Sequence, residues 1–338
     1  MIGTDSYFLD IAISKAWEYQ LLTYPNPAVG AVLTIDGKLL SVEAHQKAGT
    51  SHAEVLAFLS AYESLSGEQI SFDRFDAHKA HEFLFSLEAG FFSQTTLFVT
   101  LEPCSHIGKT PSCSSLISKL KPLRVVIAKL DPIDGHGGGA GMLEQQGIKV
   151  DIIESKEAND LLEPFMIWQN RAFVVFKLAQ TLNGNVGGGY ISSKESLTLV
   201  HRYREVCSSM LIGGNTVRID RPTLDCRFLQ ANPKAPDVYI YSRQKEFDKS
   251  IPLFDVANRS VHIVDNVDFL DKPSFVLVEG TGSLLDSLHS YVDWLLNFVA
   301  PKFSNHSLSY NVEMDLEFLK CRTVDGKDIL IWSRNSGQ

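Results

Sequence analysis

The sequence predicts two α/β domains in tandem, and three observations carry that prediction. The chain has 338 residues, more than a single ordinary core of about 150 residues accommodates. In the first half, β-branched runs alternate with helical patterns, as in a largely parallel or mixed sheet covered on both faces. After a helical connector over 154–169, SKEANDLLEPFMIWQ, a second set of strand-like runs begins. The domains are therefore read as 1–153 and 170–338.

The first domain opens on an amphipathic helix whose Phe8, Ile11, Ala12 and Ala16 fall near one face. NPAVGAVLTIDGKLLSVEAH then reads as two strands joined by an Asp36-Gly37 turn. SHAEVLAFLSAYESL follows as a helix, with Val55, Leu56, Phe58, Leu59 and Tyr62 spaced to bury one side. A charged, aromatic-containing stretch over 67–94 separates it from the strand TTLFVTLEP. That stretch reads as an insertion with a helix of its own, elaborating the surface. Next come a loop, the short helix SCSSLISKLK, the strand RVVIAKLDP, a glycine-rich turn GHGGGAG and the strand GIKVDII. In the second domain the strand-like runs are AFVVFKLAQTLNG, SSMLIGG, DVYIYS, SVHIVD, SFVLVEG, WLLNFVAPKF, EFLKCRTV and DILIWS. The sequence contains no internal repeat of the length that builds solenoids.

A net charge of −9 offers no basic footprint for a phosphodiester backbone, so nucleic-acid binding is not expected. Five cysteines cannot all pair within one molecule, which favours a reducing, cytoplasmic setting with free or metal-bound thiols. The N-terminal segment carries Asp5 and Asp10 and does not resemble a signal peptide. Apolar runs are too short to span a membrane. The expected assembly is a homo-oligomer. Cys207, Cys226 and Cys321 are read as small core groups, and His78, His81, His136 and His289 as solvated side chains.

TLEPCSHIGKTPSC, residues 100–113, holds two cysteines nine positions apart. Thiolates and a neutral imidazole suit Zn²⁺, and a catalytic zinc keeps three protein ligands with one position open. Cys104 and Cys113 supply two. His52 is the candidate third, because its Ala-Glu continuation places Glu54 at the same helix start. A His-x-Glu followed by Pro-Cys is the arrangement of zinc nucleobase deaminases, where the glutamate is not a ligand but carries protons. Zinc lowers the pKa of a bound water toward about 7, and Glu54 is placed to take that proton and deliver it to a ring nitrogen and a leaving amine. Taken singly, a His-x-Glu is helix capping and a cysteine is core packing; the conjunction favours a metal. On the residues alone a structural zinc stays open, with His106 as a fourth ligand, and so does a zinc-stapled binding module without catalysis.

With these residues in hand, the sequence resembles the bifunctional riboflavin-biosynthesis deaminase-reductase family. The matching text in the first half is Asn-Pro-Ala-Val-Gly-Ala-Val at 26–32, Ala-His at 44–45, His-Ala-Glu-Val at 52–55, and the whole of 100–113, followed by Asp131-Pro132. The long loop between the cysteines separates this family from deaminases with Cys-x-x-Cys. The resemblance implies a cytidine-deaminase-like fold and a phosphorylated small-molecule substrate, a diaminopyrimidinone bearing a ribosyl 5'-phosphate. It implies zinc on His52, Cys104 and Cys113, with Glu54 as proton carrier, and it makes Asn26, His45, His106 and Lys109 substrate contacts. The insertion over 67–94 departs from the family's shorter connection.

In the second half, Lys177 to Gly184 resembles the family's strand ending in Ser-Leu-Asp-Gly. Residues 213–227, GGNTVRIDRPTLDCR, resemble its reductase motif, which Val278-Glu279-Gly280 and Ala300-Pro301-Lys302 complete. The resemblance implies a dihydrofolate-reductase-like domain that uses NADPH to reduce a ribosyl group to ribityl. Lys177, Asp220, Arg227 and Glu279 are then substrate-side residues, and Gly213 and Thr216 cofactor-side ones. The glycine pair after Met210-Leu211-Ile212 lets backbone N–H groups approach a phosphate, yet no G-x-G-x-x-G fingerprint indicates a Rossmann domain. Asn183 stands where the family usually has Asp, the loop holding Gly187 to Gly189 is short, and Leu197 falls where a phosphate-binding Arg is expected. Arg202 or Arg204, about a helical turn further on, is expected to replace that charge. A second domain that has lost reduction stays open as the alternative.

Overall fold

A computed structural model describes residues 4–105, 110–133, 137–187, 189–230 and 233–337. The chain divides into two compact units, Met1–Glu163 and Pro164–Gln338. The division falls inside the connector, which is a helix.

The first unit contains α1 (Asp5–Trp17), β1 (Gly30–Ile35), β2 (Lys38–Ala44), α2 (Ala53–Ser66), α3 (Ala77–Ser86), β3 (Thr95–Val99), α4 (Cys113–Leu120), β4 (Arg124–Ile127), α5 (Gly139–Gln145), β5 (Lys149–Ile152) and the start of α6 (Lys156–Trp168). Its sheet runs β2-β1-β3-β4-β5. β1 is antiparallel to both neighbours, and β3, β4 and β5 are mutually parallel. Alternation along the strands feeds two cores. Ala31, Leu33, Leu97, Val99, Val125 and Ile127 pack with α2 to α5. Phe98, of opposite parity, meets Phe8 of α1 with ring centroids 5.0 Å apart, so helices cover both faces. The Asp36-Gly37 turn closes the β1–β2 hairpin, both residues at positive φ.

Several expectations are corrected here. Ile11 is half-exposed, and α1 instead buries Phe8, Leu9, Ala12, Ile13, Ala16 and Trp17. α2 is buried almost all round through its first two turns, Glu54 included. The glycine-rich turn contains the start of a helix, α5. The 67–94 segment does carry its own helix, α3, but that helix is part of the core: Ala80 and Leu84 are fully buried, and His81 is 4% exposed, not solvated. Its aromatic rings form a network with α2, Tyr62 meeting Phe83 and Phe58 meeting Phe92, each pair at 4.9 Å. His78 and His289 are exposed as expected, and His136 lies outside the described residues.

The second unit contains β6 (Ala172–Thr181), α7 (Lys194–Val206), β7 (Ser209–Gly213), α8 (Gly214–Asp220), β8 (Asp237–Tyr241), β9 (Val261–Val264), β10 (Ser274–Glu279), α9 (Gly282–Leu288), β11 (Trp294–Ala300), β12 (Leu316–Val324) and β13 (Asp328–Asn335). These strands form one sheet, β12-β13-β11-β6-β10-β7-β8-β9. Strands β11 to β9 in that order are parallel, with β13 and β12 added antiparallel at one edge. The central β6 begins with five buried residues in a row, the pattern of a strand covered on both faces. Cys207 and Cys226 are buried, as expected of core thiols, but Cys321 is exposed on the edge strand β12.

Candidate active sites

His52 is the N-cap of α2, Cys104 follows the loop that leaves β3, and Cys113 is the first residue of α4. Three separate elements thus converge on one point. The imidazole Nδ1 of His52 lies 3.8 Å from Cys104 Sγ and 3.3 Å from Cys113 Sγ, and the three ligand atoms all fall within 4.8 Å of one another. Bond lengths of about 2.3 Å for Zn–S and about 2.1 Å for Zn–N give a tetrahedral N–S edge of about 3.6 Å. The donor set and its spacing therefore fit zinc. Nε2 of His52 is held by the Thr110 hydroxyl at 3.1 Å, which leaves Nδ1 to face the sulfurs. A hydrogen bond from Cys113 and the neighbouring His52 outweigh burial and bring the Cys104 thiol down to about 4. The backbone N–H of Cys113 also donates to Cys104 Sγ at 3.4 Å.

Glu54 is the second residue of α2, two after its N-cap, and is 4% exposed. Burial pushes its carboxyl above the ordinary value, with His52 working against that shift. The His45 ring sits edge-on to His52, centroids 5.2 Å apart. Burial and His52 together lower His45 to about 3, so the ring is neutral. Its Nδ1 lies 3.2 Å from the Ser51 carbonyl, which only accepts, so Nδ1 carries the proton. Nε2 must then accept from Asn26 Nδ2 at 3.1 Å, which fixes the orientation of that side-chain amide. The structure thus unites His52, Cys104, Cys113, Glu54, His45 and Asn26. His106 and Lys109 lie outside the described residues.

Sequence reasoning missed how the ligand loop is held. Glu102, 7% exposed, accepts from three backbone N–H groups: Asp131 at 3.0 Å, Gly138 at 3.0 Å and Ala140 at 2.9 Å. Its carboxylate pins the start of α5 against the segment that carries Cys104. A side chain at Gly139 would place Cβ 2.0 Å from the Pro103 carbonyl oxygen, so only glycine permits that approach. Ser112 caps α4 and donates to the Cys104 carbonyl at 3.0 Å. The signal was in the sequence as an acid within TLEPC and a glycine run 35 residues later.

In the second unit a charged cluster sits at the C-terminal ends of the parallel strands. Lys177 of β6 and Glu279 of β10 are register partners. Glu279 Oε1 accepts from Arg204 Nη2 at 2.8 Å and Nε at 3.0 Å, and Lys177 Nζ lies 3.9 Å from Oε2. All three side chains are at most 15% exposed. Burial pushes the Glu279 carboxyl up, but Arg204 and Lys177 more than offset it and hold it below the ordinary range. Burial lowers Lys177, with Glu279 opposing. Beside this cluster, Gly213 and Thr216 line a concavity of about 400 Å³ with Ser242, Arg243, Thr281 and Ser283. That position, at strand C-termini and loop turns, is where open parallel sheets bind ligands.

The cytidine and deoxycytidylate deaminase zinc-binding region matches residues 2–129. The RibD C-terminal domain matches residues 172–304. The riboflavin biosynthesis protein RibD of Aquifex aeolicus (strain VF5) is 36% identical, across 97% of this chain and 98% of its own length. This chain belongs to the RibD family. The RibD of Chlamydia pneumoniae is 30% identical, covering 86% of this chain and 74% of its own. A crystal structure from Thermotoga maritima, a diaminohydroxyphosphoribosylaminopyrimidine deaminase/5-amino-6-(5-phosphoribosylamino)uracil reductase, superposes with TM-score 0.64 at 26% identity over 98% of each chain. The Acinetobacter baumannii RibD shares the fold, TM-score 0.65 at 23% identity, over 98% of this chain and 99% of its own.

As a RibD protein, the chain is a bifunctional enzyme of riboflavin biosynthesis, a zinc-dependent deaminase followed by an NADPH-dependent reductase. Its cytidine-deaminase-like and RibD reductase folds are those expected. The described residues include no helix long and apolar enough to cross a membrane. Of the two arginines expected to replace the charge missing at Leu197, Arg204 is the one that lies against Glu279. Arg227 reaches the cluster indirectly: it pairs with Asp225 at 2.7 Å, whose carbonyl accepts from Arg204 at 3.2 Å. Asp220 is exposed at the end of α8, and among the described residues no hydrogen bond or ion pair joins it to the cluster. Asn183 has a physical reason to depart from Asp. Its amide donates to the Ser304 carbonyl at 2.8 Å while its Oδ1 accepts from Thr181 and Ser304 N–H, and a carboxylate could not donate. Gly187 packs against His306, whose ring would lie 2.2 Å from an added Cβ.

Proposed function

We propose that the first unit removes a ring amine from a diaminopyrimidinone bearing a ribosyl 5'-phosphate, and that the second reduces the ribosyl group to ribityl. The observation that carries the deaminase assignment is the convergence of His52 Nδ1 and two cysteine sulfurs beside the buried Glu54 carboxyl. His52, Cys104 and Cys113 hold zinc, which when bound supplies a water acidic enough to act as nucleophile at neutral pH. Glu54 would take one proton from the attacking water and pass it to the ring nitrogen, then take the second from the hydroxyl added to the ring carbon and pass it to the amine, which leaves as ammonia as the carbonyl forms. Its buried setting favours holding each proton between uptake and delivery. Asn26, oriented by neutral His45, presents its carbonyl oxygen to an N–H of the pyrimidine. His106 and Lys109 are assigned to the same substrate by the motif that contains them.

In the second unit, Gly213 and Thr216 line the concavity proposed for NADPH, where the guanidinium of Arg243 favours its phosphates. Lys177, Arg204 and Glu279 form the substrate side, with Arg227 at its rim and Asp220 assigned by its motif alone. The free thiols suit a reducing cytoplasm.

The deaminase assignment is tested with Glu54→Gln in the full-length, zinc-loaded protein. Ammonia release from the pyrimidine phosphate is expected to fall about 10²- to 10⁴-fold with zinc content unchanged. Release at the wild-type rate would refute it.

A further inference from the structure

We propose that the inserted segment over 67–94 is a positioning element of the deaminase centre, acting through Ser51. The inference rests on reading His52 as a zinc ligand. Ser51 immediately precedes that ligand and is fully buried. Its hydroxyl donates to the Arg74 carbonyl at 2.7 Å, and its backbone N–H donates to the Phe75 carbonyl at 3.2 Å. Both donors are therefore used by the inserted segment. Its own carbonyl accepts from His45 Nδ1, and His45 in turn accepts from Asn26. One residue thus connects the segment to a ligand in the chain direction and to the His45–Asn26 pair through hydrogen bonds.

The segment is itself fastened on its outer side. Arg74 Nη2 meets Glu63 of α2 at 2.7 Å, and Nη1 lies 3.4 Å from both Glu43 of β2 and Ser60 of α2. Ser60 donates to the same Glu43 oxygen at 2.6 Å. Behind it, α3 packs Ala80 and Leu84 into the core shared with α2 and α4, whose N-termini carry His52 and Cys113. His52 has no side-chain hydrogen bond capping α2, so the entry into that helix is set by Ser51 and the two carbonyls that receive it. Groups that orient a metal ligand change affinity about 10- to 100-fold when removed, and the Ser51 contacts stand in that relation to His52.

The test uses Ser51→Ala and Arg74→Ala in the full-length protein. Zinc transfer to a chromophoric chelator, deaminase kcat and KM, reductase turnover of the deaminated intermediate, and Tm are all measured. Ser51→Ala is expected to speed zinc release about ten-fold and to raise deaminase KM, with reductase turnover unchanged. Arg74→Ala is expected to shift both in the same direction by less. A purely structural segment would lower Tm and leave zinc release and KM at wild-type values; that result in both variants overturns the proposal. Should Ser51→Ala not fold, Arg74→Ala, which truncates a half-buried side chain and keeps the carbonyl that Ser51 meets, decides alone. His52→Ala separates the two levels: if it keeps stoichiometric zinc, the ligand assignment itself falls and this inference with it.

Discussion

Thr110 Oγ1 holds Nε2 of His52 at 3.1 Å, and this single contact selects Nδ1 as the nitrogen that faces the two cysteines. A ligating imidazole is oriented by whatever its other nitrogen touches. Thr110→Val keeps the shape and removes the hydroxyl. Zinc affinity, read by competition with a chelator, is expected to weaken about ten-fold or more, while the reductase half keeps its activity on the deaminated intermediate.

Gly139→Ala tests the packing that supports Cys104. The added Cβ would meet the Pro103 carbonyl oxygen at 2.0 Å, a backbone atom that moves only with the ligand loop. We expect a loss of about 3 kcal/mol in the stability of the first unit, measured by denaturant melts, together with lowered zinc content. Gly141, where an added Cβ meets nothing within 4 Å, is the control that should tolerate alanine.

Arg204 and Arg202 are predicted to differ sharply. Arg204 is 12% exposed and paired with Glu279, and removing one partner of a buried pair costs about 3 kcal/mol or more. Arg204→Ala is expected to destabilise the second unit and raise the reductase KM for the phosphorylated substrate. Arg202→Ala should leave KM near wild type. Equal effects would refute the placement.

The pH dependence has a definite sign. Glu279 is held below its ordinary value of 4.5 in the folded protein. Its stabilising contribution is therefore complete above the unfolded value and is lost as pH falls through the lower folded one. Thermal melts of wild type and Glu279→Gln are expected to differ most at neutral pH. The gap should close as pH falls from the ordinary value through the lower folded one, where the wild-type carboxyl also becomes neutral; a gap that widens on acidification would contradict the account.

How much of this was legible in the sequence varies with the kind of interaction. The convergence of His52, Cys104 and Cys113 beside Glu54 was readable because metal chemistry demands particular residue types at helix and loop ends. The Asp36-Gly37 hairpin and the strand runs were readable from turn chemistry and apolar patterning. α5 was not, because glycines disfavour helix and what anchors its start is the distant carboxylate of Glu102. His81 reads as solvated from its polarity although Ala77, Ala80, His81 and Leu84 share helical spacing and are all buried; the polar side chain conceals the period. Leu197 and Arg204 are seven residues apart on α7, two turns along nearly the same face, and the pairing of Arg204 with Glu279 depends on a strand that the local sequence around α7 does not reveal. The role of Ser51 could not be read locally, since its partners, Arg74 and Phe75, lie in a segment whose docking depends on tertiary packing.

The most direct test of the central claim is to supply the aminated pyrimidine ribosyl phosphate to the zinc-loaded full-length protein, with and without NADPH, and identify the products by mass. Without NADPH, the product should have exchanged a ring amine for oxygen and kept its ribosyl group. With NADPH, that product should gain two hydrogens as the ribosyl becomes ribityl, with matching NADPH oxidation. An unchanged substrate in both reactions, or a deaminated product that NADPH never converts, would contradict the account.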